Sequence, residues 1–158
     1  MLKIILLAML FPGLGCAETI NGRVVSIADG DTLTILDSSN RQHKVRIGGI
    51  DAPERTQDFG ERSKSHLAAM AFSQQVTADC PKSDRYGRLV CKVTVSGNDV
   101  GLAQVRTGMA WWYREYSKEQ SPEERTAYEQ AEFQAKIHRD GLWDSKNPTP
   151  PWERRRAK

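Results

Sequence analysis

The sequence predicts an α+β, β-rich fold: a five-stranded Greek-key barrel of the OB type carrying three helices. Three observations point there. Five short, roughly alternating runs rich in β-branched residues are separated by turn-forming residues. The helical stretches are inserted late in the order, as a small Greek-key barrel accommodates them. A chain of 158 residues makes one domain, large enough to bury a core without metal or disulfide staples.

The first residues read as a secretory signal, residues 1–17. Lys3 supplies the positive start, Ile4 to Phe11 the apolar core, and Gly15-Cys16-Ala17 the small-residue cleavage site. Cleavage after Ala17 leaves Glu18 first. The apolar run is short of the roughly 20 residues that span a bilayer, so no membrane attachment is expected once the signal is gone. Lipidation of Cys16 is the alternative, but Gly13 stands where a lipoprotein signal carries a large aliphatic residue. The expected destination is the periplasm or the exterior.

Ile20–Ile27, Thr32–Leu36 and His43–Ile47 form a three-strand meander, divided by Asp29-Gly30 and by Asp37-Ser38-Ser39-Asn40. Glu61–Phe72 reads as a helix with Leu67, Met70 and Ala71 on one side. Gln75–Asp79 and Leu89–Val95 are the remaining strands. Asp99 caps a short helix, Val100–Thr107, which Gly108 stops. Ser121-Pro122-Glu123-Glu124 is a capping box with proline at the first helical position. That helix runs to about Arg139 and ends at Gly141. The domain thus spans 18–145, and residues 146–158 form a Pro-rich basic tail whose Asn147-Pro148-Thr149-Pro150-Pro151 ends regular structure and leaves the rest extended.

Export makes cysteines candidates for oxidation. With Cys16 removed, Cys80 and Cys91 form an even pair flanking Asp84–Arg88, and a disulfide between them is expected to pin the base of that loop. The formal charge of +3 is matched by the tail alone, where Trp152–Lys158 holds four basic groups and one acidic. Affinity for a polyanion must therefore come from local arrangement and from the tail, not from a basic body. Arg154-Arg155-Arg156 reads as a solvated run or as a nonspecific, salt-sensitive tether.

Three polar clusters fall within seventy residues: Asp29-Gly30-Asp31-Thr32, then Arg46-Ile47-Gly48-Gly49-Ile50-Asp51-Ala52-Pro53-Glu54, then Asp84-Arg85-Tyr86-Gly87-Arg88. They supply two carboxylates for a hard cation, one for a base, and two arginines whose planar forks match phosphate oxygens. That inventory suffices to cut a phosphodiester. Taken singly, Asp29-Gly30 is a hairpin turn, Arg46 an edge charge, Asp51–Glu54 a turn and Asp84–Arg88 a solvated loop. Pro53 biases Ala52 away from helical angles, which leaves the Ala52 carbonyl available as a ligand. An EF-hand is excluded because the later acidic ligands and the twelfth-position glutamate are missing.

In this order the clusters resemble the staphylococcal (micrococcal) nuclease, or thermonuclease, family: an Asp-Gly-Asp-Thr turn, an arginine followed by Asp-x-Pro-Glu, and a Tyr-Gly-Arg loop, over about Gly22 to Trp143. The resemblance implies a calcium-dependent endonuclease on an OB-type barrel, cleaving DNA and RNA to leave 3′-phosphates. Asp31 and Asp51 would then be the metal carboxylates and the Ala52 carbonyl the backbone ligand of one Ca²⁺, which the resemblance rather than the donor chemistry selects over Mg²⁺. Arg46, Glu54 and Arg88 would be the catalytic set. Arg85 (lysine in the best-known member), Tyr86 and Tyr113 would contact substrate, favouring single-stranded or unpaired regions, in a monomer. The rival reading is a catalytically inactive OB module that only binds nucleic acid; loss of Glu54 or either arginine would favour it, and all three are present. Trp111, Trp112 and Trp143 are expected to pack in the core or rim rather than to serve as base platforms. His138-Arg139-Asp140 is a helix C-terminus, where cations suit the dipole.

Overall fold

The structure, a computed structural model, describes residues 17–157. The expected secretory signal, Cys16 included, lies outside the described residues except for Ala17. Strands β1 (Glu18–Ile27), β2 (Thr32–Asp37) and β3 (Gln42–Ile47) form the expected antiparallel meander. A two-residue strand β4 (Ile50–Asp51) turns off its end, and helix α1 (Gly60–Ala71) follows. Strand β5 (Gln75–Ser83) pairs with β1, then β6 (Leu89–Val95) pairs with β5. The sheet closes where β3 meets β6 in parallel, with Ile47 opposite Cys91. Strands β1, β2, β3, β5 and β6 therefore make the five-stranded barrel that the strand pattern predicts.

Alternation decides what lies inside. Ile20 and Val24 of β1, Leu33 and Ile35 of β2, Val45 and Ile47 of β3, and Val76 and Ala78 of β5 fill the interior with Val93 of β6. Strand β7 (Asn98–Asp99) leads into helix α2 (Val100–Arg106), where Asp99 Oδ1 accepts from the Gly101 and Leu102 amides at 2.9 and 3.1 Å. A two-residue strand β8 (Trp111–Trp112) precedes helix α3 (Pro122–His138), which begins with the reciprocal Ser121–Glu124 cap and stops at Arg139 in the left-handed conformation. Trp111 and Trp112 are buried, as expected.

The structure departs from the sequence reading in three places that bear on the site. Strand β5 continues past Asp79 to Ser83, through an irregularity in its pairing with β6 around Cys80 and Pro81. The β4–β8 pair, Ile50 opposite Trp112 and Asp51 opposite Trp111, had no signature because each strand is two residues long. The tail is not extended: Pro151–Arg156 is a fourth helix, α4. Pro151 takes the first helical position, where a missing N–H costs nothing, while Glu153 in the first turn and three arginines in the last suit the dipole.

Candidate active site

A cleft of about 810 Å³ opens at one end of the barrel, between the β1–β2 turn, the β3–β4 corner, the 84–88 loop and α4. Every residue singled out from the three clusters lines it or its rim: Asp31, Arg46, Asp51, Ala52, Glu54, Arg85, Tyr86 and Arg88, together with Tyr113.

The β1–β2 turn carries the first carboxylate. Its Asp31 amide donates to Asp29 Oδ1 at 3.1 Å, closing a local turn. Gly30 is required by close approach: a Cβ there would stand 1.8 Å from Ser63 Oγ and 2.8 Å from the Ala52 Cβ. The Gly30 carbonyl instead accepts from Gln104 Nε2 at 2.7 Å, and Gln104 Oε1 meets His66 Nδ1. These contacts fix the height of Asp31, whose Oδ2 accepts from the Ala52 amide at 2.8 Å and Oδ1 from Thr32 Oγ1 at 3.0 Å. Asp31 thereby joins the turn to the corner that bears Asp51.

Arg46 is the hub. Its Nη1 donates to the Ile47 and Ile50 carbonyls, both at 3.0 Å. Its Nη2 lies 3.2 Å from Asp51 Oδ1 and 3.7 Å from Asp31 Oδ2, so two nearly buried carboxylates flank one guanidinium nitrogen. Burial works against the Arg46 charge, but Asp31 and Asp51 outweigh it and raise its pKa. Burial, reinforced by neighbouring Asp31, raises Asp29 to about 6. Asp51 is raised too, by burial first, against hydrogen bonds and charge from Arg155 and Arg46. Asp29 and Asp51 are thus costlier to ionise here than in an unfolded chain.

The 84–88 loop brings the second arginine. Asp84 Oδ1 accepts from the Tyr86 and Arg88 amides at 2.9 and 3.0 Å, and Oδ2 from Arg88 Nε at 2.7 Å. Burial opposes the Asp84 charge, yet these donors hold its carboxyl below the usual range. Gly87 turns the chain at φ 77°, with open space around it. The free end of Arg88 points at Thr32 Oγ1, 3.4 Å away and next to Asp31. Tyr86 is exposed, flanked by Arg85 and Arg88 guanidinium groups at 4.9 and 5.6 Å from its ring centre. The Cys80–Cys91 disulfide is formed and lies below this loop, with its Cα atoms 4.1 Å apart.

Glu54 completes the set from the far side of the corner; its Oε1 accepts from Arg155 Nη1 at 2.8 Å. Arg155 was read from the sequence as part of a solvated run or a nonspecific tether, and its place in the cleft is a correction. The one pointer was Pro150-Pro151 ahead of a helix-forming stretch. Asp29, Lys82 and Tyr116 also line the cleft without having been singled out, and Gln104 had no signal because its role is to fill a buried polar position.

The donor set suits a hard divalent cation: the oxygens of two buried carboxylates, Asp31 and Asp51, beside a backbone carbonyl. Among the described residues no three acidic, histidine or cysteine side chains form a ready-made cage. Two aspartates and a carbonyl would supply part of the coordination, leaving water and substrate oxygens the remainder.

The fold is an OB-type barrel whose cleft gathers carboxylates and arginines. The model of the "Staphylococcal nuclease homologue" family matches residues 44–145. An "Uncharacterized endonuclease" of Haemophilus influenzae is 40% identical over 134 residues, covering 85% of this chain and 72% of that protein. A "Micrococcal nuclease" of Shigella flexneri is 40% identical over 146 residues, covering 86% and 80%. "Protein ParB" of Escherichia coli is 38% identical over 146 residues, covering 87% and 80%. The chain belongs to the staphylococcal nuclease family.

Proposed function

We propose that this nuclease is an exported, calcium-dependent, sugar-nonspecific endonuclease that hydrolyses DNA and RNA to 3′-phosphate ends. The observation that carries the reading is the position of Arg46 Nη2 between Asp31 and Asp51, with the tip of Arg88 beside the same turn. Asp31, Asp51 and the Ala52 carbonyl would hold the ion. When bound, Ca²⁺ supplies positive charge to a phosphate oxygen and orients a water.

The chain's own groups supply the rest. Arg46, fixed on two carbonyls, and Arg88, fixed on Asp84, present donors whose grip strengthens as charge builds on the phosphate oxygens. Glu54 takes a proton from the attacking water as the P–O5′ bond breaks, and the departing 5′ oxygen takes a proton from solvent water, leaving a 3′-phosphate and a 5′-hydroxyl. Tyr86 and Tyr113 offer ring faces to bases, which favours unpaired strands irrespective of sequence. Burial, with help from the Glu115 hydrogen bond, raises Tyr113 to about 12, so it remains a neutral phenol at working pH. The disulfide supports an oxidising destination, periplasmic or extracellular.

The test is cleavage of single-stranded DNA and of RNA by the mature monomeric protein, with Ca²⁺ and with excess chelator. Cutting only with Ca²⁺, leaving 3′-phosphates, is the expected result. Undiminished cutting in chelator overturns the metal assignment. Binding without cleavage in Ca²⁺ makes the chain a binding module instead.

A further inference from the structure

Helix α4 covers two functional parts of the cleft at once. Arg155 Nη2 lies 2.6 Å from Asp51 Oδ2, and Arg155 Nη1 donates to Asp51 Oδ1 at 3.3 Å and to Glu54 Oε1 at 2.8 Å. One guanidinium therefore grips a candidate metal carboxylate with both arms and the candidate base with one. A turn earlier, the Trp152 ring stacks on Tyr113, centroids 5.3 Å apart and planes 21° apart, and meets Trp111 edge-on at 6.2 Å. That stack covers a face of the ring assigned to a nucleobase. Pro151 is buried, and the Thr149 carbonyl accepts from Gln57 Nε2 at 3.1 Å, which fixes the approach of the helix.

The two arginines on Asp51 differ in kind. Arg46 is 16% exposed and tied to backbone carbonyls, so it belongs to the barrel. Arg155 is 44% exposed and reaches in from the solvent side on a six-residue helix, so it can withdraw without opening the core. Arg155 takes Asp51 Oδ2, the oxygen that Arg46 leaves open, so a dication on Asp51 competes with it for that atom and is repelled by its charge.

We propose that α4 is an autoinhibitory latch: docked, Arg155 fills the place of the cation and engages the base, while Trp152 covers Tyr113. Cation binding and strand access each require it to leave, so each favours the other. The apparent calcium affinity is lowered by the fraction of molecules in which the latch is closed. The latch rests on the calcium-dependent reading of the site. It runs opposite to a third phosphate-gripping arginine, for which loss of Arg155 would weaken catalysis.

Calorimetric titration of the full mature chain with Ca²⁺ alone, with nucleic acid absent, tests it in wild type, Arg155→Gln, Trp152→Ala and Arg156→Gln. Arg156 is exposed on the same helix, so its variant removes the same charge without touching Asp51. Arg155→Gln is expected to bind Ca²⁺ about tenfold or more tightly than wild type, Trp152→Ala to shift the same way, and Arg156→Gln to stay near wild type. Cleavage by Arg155→Gln should exceed wild type at limiting Ca²⁺ and converge with it at saturation. Equal affinities in wild type and Arg155→Gln, an equal gain in Arg156→Gln, or a tenfold lower saturated rate in Arg155→Gln each overturn the latch while calcium-dependent cleavage stands. Cleavage in chelator with no calcium heat in any variant removes the cation reading and the latch with it.

Discussion

Glu54 and Arg88 face one cleft but are held in opposite ways. Arg88 is clamped by both oxygens of Asp84, through its amide and its Nε, which leaves the outer nitrogens of the fork to act. Lysine at 88 keeps a single-point pair with Asp84 or reaches the cleft, but not both, because it lacks the planar fork. Arg88→Lys is expected to lower kcat about 10²-fold or more, the scale of losing one preorganised donor; a near-normal kcat would remove Arg88 from the catalytic set. Glu54 is 38% exposed, its carboxylate partnered by Arg155 alone among the described residues. Glu54→Gln keeps an oxygen for Arg155 but no base for water, so kcat should fall 10²–10⁴-fold with KM little changed. Weaker binding at an unchanged kcat would reassign Glu54 to substrate contact. Both residues were legible in the sequence because each sits in a short cluster beside other charged groups. Arg155 was not, since its partners Asp51 and Glu54 lie 104 and 101 positions away and the run around it looks solvated.

Among the elements, legibility followed length. Strands β1, β2, β3 and β6 and helices α1 and α3 each repeat their period often enough to read, and α2 declares itself by Asp99 and Gly108. Strands β4 and β8 exist only because the corner after β3 and the segment after α2 meet in space, and two residues carry no period. Helix α4 was hidden by the prolines, which break a helix inside it but start one at its first position. The disulfide was readable from cysteine parity, and its placement gives it a measurable task. It joins β5 to β6 across a separation of 11 residues, enclosing the Asp84–Arg88 loop. Closing a loop of that size removes about 3 kcal/mol of chain entropy from the unfolded state. The double variant Cys80→Ala, Cys91→Ala is expected to unfold at lower denaturant with about that loss. An unchanged midpoint would show that barrel pairing alone holds the loop base.

At the scale of the whole molecule, the barrel gathers Asp29, Asp31, Asp51 and Glu54 at one end of a body with no basic surplus outside its tail. The fold keeps this crowding at some cost to itself. Burial raises Asp29 to about 6 and shifts Asp51 in the same direction, so ionising these groups costs the fold more than it costs the unfolded chain. A carboxyl whose folded pKa is raised contributes stability that is present below its unfolded pKa and is lost as pH rises through the folded value. For Asp29 that window runs from about 4 to about 6. Asp84 and Glu124 are lowered below the usual carboxylate range, so their contributions are fully in place at pH 5 and do not change above it. A bound dication reverses the penalty by favouring the ionised forms, and at pH 5 it has to displace protons that are absent at pH 7.5. At a hundredfold excess over its Kd, Ca²⁺ should stabilise the fold by about 2.7 kcal/mol, or roughly 5–10 °C in Tm for a chain of this size. At the same free Ca²⁺ the gain should be markedly smaller at pH 5 than at pH 7.5, measured by thermal unfolding of the full mature chain with and without the ion. Equal shifts at the two pH values would mean that the ion binds away from the buried aspartates. The cleft would then owe its acidic crowding to some other cation, with Arg155 the one already in place.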